Sequence, residues 1–292
     1  MDRLVSSFQF ERLLSSDSQL KTIALLGTID GQQAILQLEK SHFDTARLPD
    51  LPVQQIREIA SNDVYHWAMT TLRQSVDRDP AAKLNLIYPA TEIHIRKFEK
   101  PVLHIVHESP ELYRSVVVPY IETMRGDRIR WVRNILYEGA EADRVVVRND
   151  DFVLLPDMKW DGSTLESLYL CCIVYRDDIA SIRDLNETHI PYLERIRDAL
   201  RTEIPRRYPI AGDQLRIFVH YQPSYYHFHL HVVNTAYNGL GESILAGKAI
   251  LLEEVIDTLR FLGPEGYKRR TLTYAISESH KLWELGLKHS AM

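Results

Sequence analysis

The feature that most constrains this chain is a run in which histidines alternate with apolar residues. His227, His229 and His231 occupy positions i, i+2 and i+4, and the residues between them are apolar. Successive side chains of a β-strand point to opposite faces, so this spacing predicts a strand with one imidazole face and one apolar face. His220 lies on the preceding strand pattern, and a short turn through Pro223-Ser224 would bring it to the same cleft.

Three interpretations of this histidine face are open. The first is that the histidines are ordinary core residues whose ring nitrogens are hydrogen-bonded, but burying several imidazoles on one face without a function is costly. A metal site is the second, because His-x-His on a strand is a ligand pattern. A cupin-like metal site would need a glutamate a few residues later, where this chain has Val232-Val233-Asn234-Thr235. The third is nucleophilic catalysis, because a neutral imidazole can attack phosphorus while its neighbours move protons near neutral pH.

Composition limits the classes of partner. The chain has 292 residues, 45% of them apolar and 26% charged, as in an ordinary globular protein of about two domains. A net charge of −5 argues against binding long nucleic acid, but it leaves room for a pocket for one short nucleotide. Cys171 and Cys172 are adjacent and cannot form a relaxed disulfide, so we expect a reducing compartment. Without a membrane-length apolar run or an apolar N-terminus, we expect a soluble intracellular protein.

The order of the helix and strand patterns predicts an α+β protein. We expect a smaller N-terminal α+β domain over 1–92, a hinge over 93–109 and a C-terminal domain over 110–292. Asp30-Gly31 predicts a hairpin, and the apolar spacing of 52–76 predicts a helix with a break at 61–63. Further strands are predicted at 84–88, 143–147, 152–155, 168–175, 215–222 and 225–233, and helices at 110–124, 187–204 and 248–262.

The sequence His-φ-His-φ-His-φ-φ, with φ apolar, resembles the signature of the histidine-triad family of nucleotide hydrolases and transferases. In that family the middle histidine attacks the α-phosphate of a nucleotidyl group. The resemblance implies a C-terminal antiparallel sheet with helices. It assigns His229 as the nucleophile, with His227 and His231 orienting it and binding phosphate.

Four further segments, over 88–92, 138–144, 156–160 and 220–227, resemble the scavenger mRNA-decapping enzymes, and the fungal members most. The resemblance covers roughly residues 8–285; the stretch 42–54 looks shorter than its fungal equivalent. It implies hydrolysis of N7-methyl-GpppN, or of a short capped oligonucleotide left by 3′-to-5′ mRNA decay. The products are N7-methyl-GMP and a nucleoside or oligonucleotide diphosphate. It also implies no metal, no cofactor and a homodimer with a domain-swapped N-terminal domain.

The resemblance assigns the residues that would hold the methylated base. Trp131 matches the stacking tryptophan, and a cationic N7-methylguanine on an indole gains a cation–π interaction. Met158, where relatives often have leucine, would cover the other face. Glu141 would accept from the N1 and N2 donors of the guanine edge. Asp157 and Lys159 match positions beside the base and the phosphates. Without the resemblance, Trp131 reads equally well as a core residue and Glu141 as a solvated acid.

A triphosphate bridge needs cations and hydrogen-bond donors. The residues expected to meet it are Lys159, Lys248, His220 and Ser224, with Lys97 and Tyr65 supplied by the closing N-terminal domain. Relatives often carry arginine at the Lys248 position, and lysine keeps the charge but loses the bidentate fork. For Lys97 and Tyr65, a solvated surface position is the competing interpretation.

Two rival functions stay open at this point. One is a non-catalytic, cap-binding paralogue that regulates the active enzyme, and the other is a histidine-triad hydrolase of dinucleoside polyphosphates. The expected partners are a capped dinucleotide or short capped RNA and a second copy of the chain. A heterodimer with a paralogue or association with a 5′-to-3′ exonuclease are alternatives. No membrane and no long nucleic acid are expected as partners. The expected localisation is cytoplasmic, with a nuclear share left open.

Overall fold

The structure is a computed structural model that describes residues 1–18, 20–41, 43, 52–99 and 102–292, without the side chain of Glu242. The chain divides into two compact units, Met1–Pro101 and Val102–Met292. Both combine antiparallel strands with helices, so the expected α+β class is confirmed. In the described part of the chain, none of the helices has the length and apolar character needed to cross a membrane.

The first unit is built on an antiparallel sheet of four strands in the order β1-β2-β3-β6. Its helices are α1 (Asp2–Ser6) and α2 (Glu92–Phe98). Asp30 and Gly31 both adopt positive φ, which confirms the hairpin predicted between β2 and β3. The strands of this unit are β1 (Gln9–Asp17), β2 (Thr22–Ile29), β3 (Gln32–Lys40), β4 (Val53–Asn62), β5 (Tyr65–Leu72) and β6 (Ala82–Ile87).

The helix predicted over 52–76 is wrong, because this segment forms the antiparallel hairpin of β4 and β5. The three-to-five spacing of its apolar residues resembled a helix, but Tyr65, Trp67 and Met69 alternate as in a strand. Asp63, read as part of a helix start, adopts a φ of 52° and forms the hairpin turn instead. The expectation for residues 42–54 lies largely outside the described residues.

The second unit is built on an antiparallel sheet of six strands in the order β13-β11-β12-β10-β9-β8. β7 and β14 form a separate antiparallel pair. They come from near the beginning and the end of the unit's sequence. The segment 93–109, expected as a hinge, contains most of α2 and the whole of β7. The strands are β7 (Leu103–Glu108), β8 (Val147–Arg148), β9 (Phe152–Pro156), β10 (Tyr169–Val174), β11 (Leu215–His220), β12 (His229–Asn234), β13 (Ala249–Leu251) and β14 (Leu272–Ser277).

Helices cover this sheet and leave the apolar faces of its strands buried. The predicted helix over 110–124 is present as α3, a π-helical turn over Tyr113–Val117, and α4. The predicted helix over 248–262 begins only at Leu252, because Ala249–Leu251 pairs with β11. The helices are α3 (Pro110–Leu112), α4 (Val118–Thr123), α5 (Arg130–Tyr137), α6 (Ile190–Glu203), α7 (Leu252–Leu262) and α8 (Lys281–Leu285).

The histidine strand is shorter than the sequence predicted. β12 begins at His229, so the prediction of strand over 225–228 is wrong, and the strand predicted over 215–222 ends at His220. Between them runs an eight-residue segment over 221–228, which we call the linker loop. At the end of the loop, the Phe228 N–H bonds to the Ile179 carbonyl, which lies outside the strands of the sheet. Backbone groups that find partners outside the sheet cannot continue its ladder.

Candidate active site

Three of the four histidines come together at the junction of β11 and β12. His229 and His231 lie on one face of β12, and their ring centroids are 5.0 Å apart. His220 ends the neighbouring strand β11, with its ring 4.1 Å from that of His231. His227 precedes the strand, on the linker loop, and its ring is also buried. The alternation of side chains along β12 therefore puts His229 and His231 on one face as predicted, but His227, predicted on the same strand face, lies on the linker loop.

Hydrogen bonds to backbone carbonyls fix which ring nitrogen carries the proton. A carbonyl oxygen only accepts, so His229 donates from Nδ1 to the His227 carbonyl, 2.8 Å away. Its Nε2 then carries a free lone pair, and this buried atom has no hydrogen-bond partner among the described residues. His227 donates from Nε2 to the Val174 carbonyl at 2.7 Å. The arrangement leaves the Nε2 of His229 as an available nucleophile.

Burial keeps these rings neutral. Removal from water lowers the pKa of His229 to about 4, although its hydrogen bond to the His227 carbonyl opposes the shift. Burial likewise lowers the pKa of His220 to about 4. The pKa of His231 lies well below its ordinary value for the same reason, with neighbouring histidines and lysines adding to the effect. A neutral imidazole is the form that can donate an electron pair to phosphorus.

Two ammonium groups act on the histidine cluster. Lys159 and Lys248 both lower the pKa of His231 through their charge, after the larger effect of burial. The Nζ of Lys159 bonds to the Ser243 hydroxyl at 3.1 Å, and the Ser243 carbonyl accepts from His220 Nε2 at 2.8 Å. Positive charge thus lies beside the unpartnered nitrogens, which suits an anionic group such as phosphate.

An aromatic wall borders His229. Trp131, on α5, keeps 43% of its surface exposed, which excludes the interpretation of a core tryptophan. Its indole meets the Tyr225 ring edge-on at a centroid distance of 4.8 Å. The Tyr225 ring in turn stacks on His229 at 4.0 Å. A flat, partly exposed indole this close to the histidine cluster can stack on a planar base.

Polar groups of two segments meet at the end of β9. Glu141 adopts a left-handed conformation with a φ of 56° and forms an ion pair with Arg144. Arg144 also donates to the Pro156 carbonyl at 3.0 Å, which ties the Glu141 turn to the end of β9. Asp157 follows directly, its carboxylate accepting from the Lys159 N–H, and the Met158 side chain is 92% exposed. These residues could hold the edge and one face of a base.

Three other residues predicted to bind the substrate are exposed to solvent. Ser224 is exposed on the linker loop, next to Tyr225. Tyr65, on β5, and Lys97, on α2, are exposed residues of the first unit. Their contribution to substrate binding stays a prediction. Among the described residues, no group of three or more His, Cys, Asp or Glu is arranged to hold a metal ion.

Sequence reasoning missed three residues that the structure places in this site. Tyr225 lies within the histidine motif, but nothing in the pattern indicated that it stacks on His229. Arg144 follows Glu141 by three residues, a spacing that could have suggested their ion pair. Ser243 is far along the chain from its partners Lys159 and His220, and no sequence signal indicated the contact.

The fold and the site define the class: a two-unit α+β protein with a histidine-cluster site on the antiparallel sheet of its second unit. Residues 3–101 match the family described as scavenger mRNA decapping enzyme (DcpS) N-terminal, and residues 130–246 match scavenger mRNA decapping enzyme C-term binding. The chain belongs to the scavenger mRNA decapping enzyme family.

Its relatives agree in name. The chain is 43% identical to an m7GpppX diphosphatase of Schizosaccharomyces pombe over 97% of this chain and 95% of the relative. It is 39% identical to that of Bos taurus and 36% identical to that of Homo sapiens, in each case over 96% of this chain and 85% of the relative. The family predicted from the sequence is confirmed.

Proposed function

We propose that this chain is an m7GpppX diphosphatase that hydrolyses N7-methyl-GpppN to N7-methyl-GMP and a nucleoside diphosphate. The relatives carry that activity in their names, at up to 43% identity over nearly the whole chain. The observation that carries the proposal is the free, buried Nε2 of His229, whose tautomer is fixed by the His227 carbonyl. A nucleophile that stays neutral, next to two histidines that feel the charges of Lys159 and Lys248, suits attack on a phosphoanhydride.

The reaction proceeds in two steps in this proposal. His229 Nε2 forms a bond to the phosphorus attached to methylguanosine, and the bond from that phosphorus to the bridging oxygen breaks. The diphosphate leaves with the electron pair, while Lys159 and Lys248 balance its charge. Water then attacks the phosphohistidine, regenerating the imidazole and releasing N7-methyl-GMP. His231, whose buried Nε2 has no partner among the described residues, orients the phosphate oxygens.

Base selectivity arises at the aromatic wall. N7-methylguanine carries a delocalised positive charge, which the exposed indole of Trp131 stabilises by about 1–2 kcal/mol when water is excluded. Glu141 accepts from the guanine N1 and N2 donors, and Met158 covers the second face of the base. An unmethylated guanine lacks the positive charge, so it loses the cation–π interaction.

Product analysis tests this function. The protein is incubated separately with N7-methyl-GpppG, GpppG and diadenosine tetraphosphate, and the products are identified by mass spectrometry. The proposal expects N7-methyl-GMP and GDP from the first substrate and far less product from the others. Tight binding of the methylated cap without turnover would instead identify a regulatory cap-binding protein. Turnover of the diadenosine compound alone would identify a dinucleoside polyphosphate hydrolase.

We also infer a homodimer in which β4 and β5 pack against a second copy of the chain. In the part of the chain that the structure describes, the two strands pair with each other alone, and their residues are almost all exposed. An isolated two-stranded hairpin is marginally stable in water, and its exposed apolar side chains favour a partner. These side chains belong to Ile56, Ile59, Tyr65, Trp67 and Met69.

Light scattering after size-exclusion chromatography tests the dimer. The chain should elute with twice its mass of 33.9 kDa, and Ile59→Asp should shift it towards the monomer. The matched control is Val76→Asp, an exposed position outside both strands. A monomeric wild-type protein would refute the dimer and leave the proposed reaction standing. Exchange of the N-terminal domain between copies and a cytoplasmic location remain parts of this proposal.

A further inference from the structure

A buried ion pair lies beneath the linker loop. Glu108 ends β7, and Arg183 lies on a single helical turn over Ile182–Asp184; both side chains are 0% exposed. Arg183 donates to Glu108 Oε1 from Nη2 at 2.6 Å and from Nε at 2.9 Å. Removing two charges from water usually costs as much as their attraction returns, so such a pair is weak evidence for stability. Its role has to be sought in what it holds.

The carboxylate of Glu108 holds the linker loop at its first two residues. Tyr221 donates its hydroxyl to Oε1 at 2.6 Å, and Gln222 donates its amide to Oε2 at 2.9 Å. The Gln222 amide oxygen accepts from the Tyr226 hydroxyl at 2.9 Å. Tyr274, on β14, donates to Oε2 from the other side at 2.6 Å. A buried network in which every member is satisfied favours one conformation of the segment it binds.

The linker loop joins the two strands that carry the histidine cluster. It leaves β11 directly after His220 and enters β12 directly before His229. Between these ends it carries Tyr225, which stacks on His229, and His227, whose carbonyl fixes the His229 tautomer. Among the described residues, the hydrogen bonds of Glu108 and Arg183 go to none of the four histidines, whereas Glu108 accepts directly from the first two residues of the loop.

We propose that Glu108, neutralised by Arg183, is a positioning residue that holds Tyr221 and Gln222 so that the loop presents Tyr225 and His229 to the phosphate. This inference rests on the proposed function and adds a buried carboxylate to the groups on which it depends. A displacement of about 1 Å at a reacting group can cost about a hundredfold in rate. Loosening the loop should therefore lower turnover more than it lowers affinity, because Trp131 and Glu141 lie outside it.

The test compares two conservative variants. Tyr221→Phe removes the hydroxyl between the loop and Glu108. Tyr192→Phe, the matched control, removes a phenol hydrogen bond from a buried residue of α6 whose partner is the Asp151 carbonyl. We expect Tyr221→Phe to lower kcat for N7-methyl-GpppG about tenfold with KM changed less than about threefold. We expect Tyr192→Phe to keep kcat within about twofold of the wild type. Gln222→Met removes the second hydrogen bond between the loop and Glu108, so it should behave like Tyr221→Phe.

Stability and turnover are separated in this design. Circular dichroism melts are recorded for each variant, and kcat is measured well below every melting temperature. Equal kcat in the two loop variants and the control would overturn the inference. An inactive wild-type protein would instead refute the proposed reaction, and imidazole nitrogen NMR then decides the inference. In that case His229 should keep one tautomer in the wild-type protein and in the Tyr192→Phe variant. It should exchange between tautomers in the Tyr221→Phe variant. Identical spectra for all three proteins would overturn the positioning role.

Discussion

The phenol ring of Tyr225 lies almost parallel to the imidazole of His229, with centroids 4.0 Å apart and planes inclined by 13°. The same phenol meets the indole of Trp131 edge-on at 4.8 Å. One side chain therefore contacts both the proposed nucleophile and the proposed base-stacking residue. Through this contact, the position of the base is coupled to the position of the attacking nitrogen.

Replacing Tyr225 should weaken both functions at once. Tyr225→Leu removes two aromatic contacts, each of which contributes about 1 kcal/mol, so we expect about a tenfold loss in kcat and a weaker affinity for the methylated cap. Steady-state kinetics and cap binding by fluorescence measure the two effects. Tyr137→Leu, at an exposed position of the same α5 helix as Trp131, is the control and should change neither. A loss confined to affinity would contradict the contact with the nucleophile.

Replacing the proposed nucleophile should abolish turnover but keep cap binding. His229→Asn lacks the Nε2 lone pair, so turnover should fall by more than about a thousandfold. Cap affinity should stay within about threefold, because Trp131 and Glu141 are unchanged. His104→Asn, at a partly exposed histidine of β7 that pairs with Glu278, is the control. Near-normal turnover of His229→Asn would exclude this residue as the nucleophile.

The pH dependence of turnover should reflect the buried state of His229. Its pKa of about 4 means that the imidazole is neutral, and so nucleophilic, down to about pH 5. We expect kcat to stay level from about pH 8 to about pH 5 and to fall below that as the ring takes up a proton. An acid limb centred near the ordinary histidine value of about 6.5 would show that water reaches the ring.

Stability should be lost in mild acid. The pKa values of His220, His227, His229 and His231 are all lowered, chiefly by burial. Below about pH 6.5 the unfolded chain binds protons that the folded chain refuses, so the stability present above that pH declines as pH falls towards 4. Each such histidine contributes about 1.4 kcal/mol per pH unit. Urea unfolding at several pH values measures the slope, and His231→Asn should make it shallower; an unchanged slope would refute the shift at His231.

Methyl-cap selectivity should depend on Trp131 and Glu141 in different ways. Trp131→Ala removes the cation–π interaction, so the preference for N7-methyl-GpppG over GpppG should fall about tenfold. Glu141→Gln should weaken the binding of both guanine substrates to a similar extent, because both present the same base edge to this acceptor. Competition assays with the two dinucleotides measure both ratios. Unchanged selectivity in Trp131→Ala would place the base elsewhere.

Local sequence patterns predicted many helices and strands of the second unit. They failed where hydrogen bonds to residues distant in sequence determine where an element begins or ends. The alternation of histidines predicted the shared face of His229 and His231 because the period of a strand is a local property. It could not predict that the strand begins only at His229, since that depends on the distant Ile179 carbonyl. In the first unit, 52–76 was predicted as a helix from apolar spacing, although a turn at Asp63 makes it a hairpin.

In the candidate site, too, the sequence predicted residues within motifs but not contacts between distant segments. The motif and the resemblance predict the candidate nucleophile His229, the two lysines and Trp131, because both depend on residue types at fixed positions along the sequence. The Ser243 contacts and the Glu108–Arg183 pair were not, because they join segments far apart in sequence. In particular, a glutamate at the end of β7 gives no local sign that it will bind Tyr221 and Gln222.

Hydrolysis of N7-methyl-GpppG in water enriched in heavy oxygen shows which phosphorus is attacked. If His229 attacks the phosphate attached to methylguanosine and water then releases it, mass spectrometry should find the heavy oxygen in N7-methyl-GMP and none in GDP. Heavy oxygen in GDP would mean that the neighbouring phosphorus was attacked, which would exclude the proposed intermediate between His229 and N7-methyl-GMP.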